Sequence, residues 1–200
     1  MECVRESCSG KPDSAKVATV ALRATRRVAE KEIMPLPQDL LEQARFLSRR
    51  EARRPRQASL RRAVSTAYYA TFHLLSKAAA DQASPADPAG LAGVIQRAIE
   101  HGTMKNAAKA FESGNLPHQV QVLLAGPVPA PIKSVARNFV RLQEERHKAD
   151  YDLTDKFDRT RVQGLVKAAE QLFMDWNAVR NTPEARVFLA SLLFGKVWSR

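Results

Sequence analysis

The stretch Arg61–Ala80, RRAVSTAYYATFHLLSKAAA, constrains the fold more than any other part of the chain. It holds no proline and no glycine and closes on an alanine run, so nothing in it breaks a helix. Leu60, Val64, Ala67, Tyr68, Thr71, Leu74, Leu75 and Ala78 recur at helical spacing and predict one buried stripe. Ala63, Ala67 and Ala70 leave room for a neighbouring helix to come close. The centre is unusually aromatic, with Tyr68, Tyr69, Phe72 and His73 in six positions. A long helix of this kind needs other helices to cover it. Strands are not on offer, because no alternating β-branched run bounded by tight turns occurs.

The rest of the chain supplies those helices. Pro37 suits a first helical position, and Leu40, Leu41, Ala44, Phe46 and Leu47 predict an apolar face on a helix ending near Arg54, before Pro55. Ser59 is a possible cap for the aromatic helix, which is expected to reach about Asp81. Ser84–Gly90 is turn-rich. Leu91–Phe111 is a weaker pattern broken at His101-Gly102, with Leu91, Val94, Ile95, Ala98 and Ile99 on one face. His118–Ala125 allows a helical turn, and the prolines of Gly126–Pro131 exclude regular structure. From Pro131, the residues Ile132, Val135, Ala136, Phe139, Val140 and Leu142 predict a third long helix. Its charged end is Gln143–Lys148, and Ala149–Asp152 leads out. Thr154 or Asp155 is positioned to cap a helix over Lys156–Arg180. Thr182 as cap and Pro183 as first residue predict the last helix, Glu184–Phe194. The expectation is an all-α antiparallel up-and-down bundle of four to five long helices plus short ones, spanning residues 34–200. Residues 1–33 read as a disordered or dispensable basic extension, with Met34 an alternative start.

Thirty-two Lys and Arg against 21 Asp and Glu give a net charge of +11 and a pI near 10.1. Such a balance attracts polyanions, nucleic acid above all, or reflects a solvated arginine-rich surface. RREARRPR, Arg49–Arg56, carries five arginines; it reads as a solvated helix end or as a phosphate-binding rim. Cys3 and Cys8 are the only cysteines, which excludes a disulfide framework and a zinc site. No membrane-spanning window, phosphate loop or nucleophile motif occurs. A cytoplasmic protein with no metal and no cofactor is expected.

Two segments, RRAVSTAYYATFHLL at Arg61–Leu75 and RHKADYD at Arg146–Asp152, together resemble the HEPN superfamily of small helical bundle domains. The resemblance covers Met34 to about Trp176. It implies a homodimer that binds or cleaves RNA, as a metal-independent ribonuclease of a toxin or defence system with an R-x(4–6)-H motif. It equally allows a non-catalytic nucleotide-binding or protein-interaction module working with a partner nucleotidyltransferase. Arg141 and His147, with five residues between them, satisfy the motif formally. In a second register Arg146 is the motif arginine, and the histidine place falls near Tyr151. Histidine would serve as general acid or base and arginine would hold the scissile phosphate. On a continuous helix, however, Arg141 and His147 point about 120° apart. Arg141, Arg146 and His147 are therefore the catalytic candidates. Arg61, Arg62, His73, Asp150 and Tyr151 are the binding candidates, with Asp150 orienting a histidine or pairing with Arg146. His73 also reads as a core or interface histidine, and Tyr68 and Tyr69 as packed rings with hydroxyls at a rim. His101 and His118 receive no role.

Overall fold

The computed structural model describes residues 36–86, 90–124 and 126–198. The expectations for residues 1–33 lie outside the described residues. Among the described residues there are eight helices and no strand: α1 Leu36–Arg49, α2 Gln57–Ala83, α3 Leu91–Ala98, α4 His101–Ser113, α5 His118–Leu123, α6 Ala130–Tyr151, α7 Arg159–Val179 and α8 Pro183–Trp198. The all-α expectation holds, and no described helix is long and apolar enough to cross a membrane.

The hub is α2, which touches α1, α3, α6, α7 and α8. This explains why its buried surface is far wider than one stripe: Ser65, Thr66, Ala70 and Ser76 are buried as well. Ala63, Ala67 and Ala70 have no exposed surface, so the neighbouring backbones approach α2 closely where its side chains are smallest. Pairs along α2 and α6 run in opposite senses, from Arg61 with Ala149 to Tyr69 with Arg146, so the two helices are antiparallel. The same logic applies to α4 and α6, through Gln143 with His101 and Arg137 with Glu112. Tyr68, Phe139, Leu142, Leu165 and Leu172 fill the space between α2, α6 and α7, and Phe111 meets Phe188 edge-on between α4 and α8. Every residue predicted for the apolar face of the third long helix is buried.

Several boundaries differ from the sequence expectation, each for a tertiary reason. The first helix, α1, stops at Arg49, not Arg54. Arg159 of α7 donates to the carbonyls of Glu51 and, at 2.8 Å, Ala52, and so holds these residues outside a helical ladder. Phe46 is not a core residue. It lies 64% exposed, on the side of α1 opposite the buried Leu41, Ala44 and Ser48. Ser59 is not a cap; it sits in the first turn of α2 and donates to Glu51 at 2.7 Å. The apolar face of α3 is only partly covered, and Leu91 and Val94 are about half exposed. Ala149-Asp150-Tyr151 does not lead out of α6 but forms its last turn. Asp158, not Thr154 or Asp155, caps α7, accepting from the Arg161 amide at 2.8 Å. Thr182 does cap α8, accepting from the Ala185 amide at 3.2 Å, and α8 continues past Phe194 to Trp198.

Candidate nucleic-acid interface

Arg62, Tyr69 and His73 recur at seven and four positions and so share one stripe of α2. Arg62 is exposed; Tyr69 and His73 are half-buried. The stripe stays open because α4 begins only at His101, whose carbonyl accepts from Gln143 of α6 at 3.0 Å. Beyond that level α4 no longer covers the groove between α2 and α6. The last two turns of α6, carrying Arg146, His147, Asp150 and Tyr151, form the opposite wall.

Arg146 is the centre of this face. Its Nη2 donates to the Tyr69 hydroxyl at 2.7 Å. Its Nε lies 2.6 Å from Asp150 Oδ2 but lacks hydrogen-bond alignment, so that contact is ionic. The guanidinium carbon lies 5.9, 5.3 and 5.6 Å from the ring centroids of Tyr68, Tyr69 and Tyr151, within the range of cation–π attraction. Burial opposes the charge, yet Tyr69 and Asp150 hold the Arg146 pKa above its ordinary value. Asp150 is steadied from α2 by a hydrogen bond from Ser65. The expected pairing of Asp150 with Arg146 is thus present, and no histidine bonds to Asp150 among the described residues.

The Tyr68 ring is fully buried, so its hydroxyl is not at a rim as expected. It lies 2.7 Å from His101 Nδ1. The His101 ring rests on Phe72 at 4.1 Å between centroids. Burial, then Arg146 and His73, lower the His101 pKa, and burial alone lowers that of His73. Both are therefore held toward the neutral form. His73 stacks on Tyr69 with centroids 6.2 Å apart. Sequence reasoning gave His101 no role; its one signal was its position beside a helix break.

His147 is exposed and leans on Tyr151, with ring centroids 5.0 Å apart. Tyr151 is 65% exposed. Arg141 is also exposed, but α6 runs unbroken from Ala130 to Tyr151. The about 120° separation from His147 therefore stands, and Arg141 lies outside this face. Arg61 is turned away as well. It donates to the carbonyls of Lys148 at 3.4 Å, Ala149 at 2.8 Å and Asp152 at 2.8 Å, and to that of Asp155. It closes the end of α6, where a cation suits the free carbonyls, and its fork is occupied.

An apolar concavity of about 500 Å³ lies elsewhere, among α3, α4 and α8, with Ile95, Ile99, Leu192 and Phe194 in its wall. Its charged groups, Glu100 and Lys196, neutralise each other. No cluster of three or more His, Cys, Asp or Glu side chains among the described residues is arranged to hold a metal ion. No family model, no curated protein and no solved structure matches the chain.

Proposed function

We propose that this chain is a HEPN-like domain that binds RNA across the α2–α6 face. The observation that carries the reading is Arg146, a fixed cation framed by three tyrosine rings, one of them widely exposed. RNA single strands are held by such combinations, the cation meeting phosphate and the rings taking unstacked bases. Among the described residues Arg146 Nη1 makes no hydrogen bond, which leaves a donor for a phosphate oxygen. Arg62, on the same stripe of α2, extends the positive track, and the net charge of +11 favours a polyanion. The order of the two segments that resemble HEPN proteins supports the same reading. Arg146 and His147, rather than Arg141, are the residues that this face offers to a scissile phosphate. His147 serves as general acid or base in a metal-independent cleavage. In the proposed homodimer the exposed Leu153, 85% accessible, lies at the contact between two copies, and Tyr151 stays open to RNA.

The test is fluorescence anisotropy with a labelled single-stranded RNA, in the presence of a chelator. Arg146→Ala is expected to weaken binding about tenfold or more. An unchanged affinity overturns the site. His147→Ala is expected to abolish chelator-resistant cleavage while binding persists; cleavage that survives the change removes His147 from the chemistry. Light scattering that gives a monomer mass at micromolar concentration overturns the homodimer.

A further inference from the structure

A second basic surface lies on the outer side of α1 and the segment that follows it. Arg49, Arg50, Arg53, Arg54 and Arg56 are all exposed. Among the described residues none of the five forms an ion pair. Several cations elsewhere are paired, although among the described residues Arg62 and Arg141 are not. Lys105 and Lys109 share Glu144, Arg161 holds Glu145 and Asp155, Arg45 meets Glu170, and Lys196 meets Glu100. The one carboxylate in the arginine segment is Glu51. The Ser59 hydroxyl, assisted by Arg50 and Arg56, keeps it ionised. Residues 49–56 alone thus carry five cations against one carboxylate, while Asp39 and Glu42 of α1 add two anions nearer Phe46.

The backbone beneath these arginines is fixed. Arg159 binds the Glu51 and Ala52 carbonyls, Ser59 binds the Glu51 side chain, and Gln57 exchanges two hydrogen bonds with the Phe157 backbone at 2.6 and 3.0 Å. Phe46 completes the surface. It stands 64% exposed one turn before Arg49 and Arg50, on the same outer side of α1.

We infer that Phe46 and the arginines of 49–56 form a second contact for single-stranded RNA, the ring stacking on a base and the guanidinia holding successive phosphates. Stacking needs one exposed ring, and unpaired cations release counterions from a polyanion. An anionic membrane is the weaker match. Asp39, Glu42 and Gln43 share the outer side of α1, so Phe46 is a single apolar group among polar ones, too little for insertion. This surface stands independently of the α2–α6 face.

The experiment measures affinity of the full chain for a labelled oligouridine over a range of salt concentrations. The Arg53→Glu/Arg54→Glu double variant is expected to lower the slope of log affinity against log salt by about two. Phe46→Ala is expected to weaken binding about tenfold with the slope unchanged. Both changes are repeated in an Arg146→Ala background. There the same losses show that the second surface acts even if the α2–α6 face does not. Unchanged RNA affinity in both variants overturns the inference. So does a result in which the variants lose only sedimentation with phosphatidylserine vesicles. Phe46, Arg53 and Arg54 are exposed, and a circular dichroism melt unchanged from that of the matching background, parent or Arg146→Ala, shows that the fold is intact.

Discussion

The Tyr68 hydroxyl and His101 Nδ1 lie 2.7 Å apart, joining α2 to the first residue of α4 across 33 positions of sequence. The contact satisfies a hydroxyl whose ring has no exposed surface. It also places an imidazole where protonation is costly, because burial first, and then Arg146 and His73, oppose the charge on His101.

That cost sets a pH dependence. The folded pKa of His101 lies below 6.5, and that of His73 is shifted the same way. The unfolded chain therefore binds protons first as pH falls. Stability is fully present above about 6.5 and is lost as pH drops through the lower folded values. The lowered carboxylates, Asp155 and Glu144 among them, act in a separate, more acid range. Melting temperatures are expected to fall between pH 7 and 5, and a His73→Gln/His101→Gln variant to flatten that decline. A variant that declines as steeply as the parent would show that these histidines do not cause it.

Arg61 and Arg62 are neighbours with opposite fates. Arg61 closes α6 through several carbonyls, whereas Arg62 is exposed. Lysine cannot reproduce the fork. Arg61→Lys is expected to cost about 2 kcal/mol in urea unfolding, and Arg62→Ala to stay within about 0.5 kcal/mol. Equal effects would remove the capping role given to Arg61.

The contrast shows what a sequence can and cannot disclose. Thr182 and Pro183 mark the start of α8 correctly because capping is decided within one turn. The end of α1 is not local: Arg159, more than 100 residues away, decides it. The end of α6 is likewise decided by Arg61, and the role of His101 by Tyr68. Phe46 was misplaced because it follows the apolar run closely in sequence while its helical phase sends it outward. Arg141 and His147 satisfy a spacing that a straight helix cannot bring together. The open groove holding Arg146 depends on where α4 begins, and its residues come from three helices.

The small residues of α2 carry a further expectation. Ala67 has no exposed surface and lies where α2 is enclosed by its neighbours. Ala67→Leu forces side chains off their rotamers and is expected to cost about 1–3 kcal/mol. Ala78, only partly buried, is expected to accept leucine with less loss. Denaturant midpoints of the two variants compare them directly, and equal midpoints would show that α2 is less tightly enclosed than its burial indicates.

Asp150 bears most directly on the proposed RNA face, because it holds the cation that a phosphate would need. Its carboxylate lies 2.6 Å from Arg146 Nε and repels any anion that approaches. Asp150→Asn keeps an oxygen for Ser65 and removes the charge. The pair is partly exposed, with 17% and 26% of the two side chains accessible, so solvent screens it and the loss of stability should stay below about 1 kcal/mol. Removing one repelling charge near 4 Å in a watery groove relieves about 1 kcal/mol. RNA affinity is therefore expected to rise about fivefold at low salt, and the gain to shrink as salt increases. The outcome separates two roles for the residue. If Asp150 instead orients Arg146 for phosphate, affinity falls in the asparagine variant, and the carboxylate belongs to the binding machinery rather than competing with it.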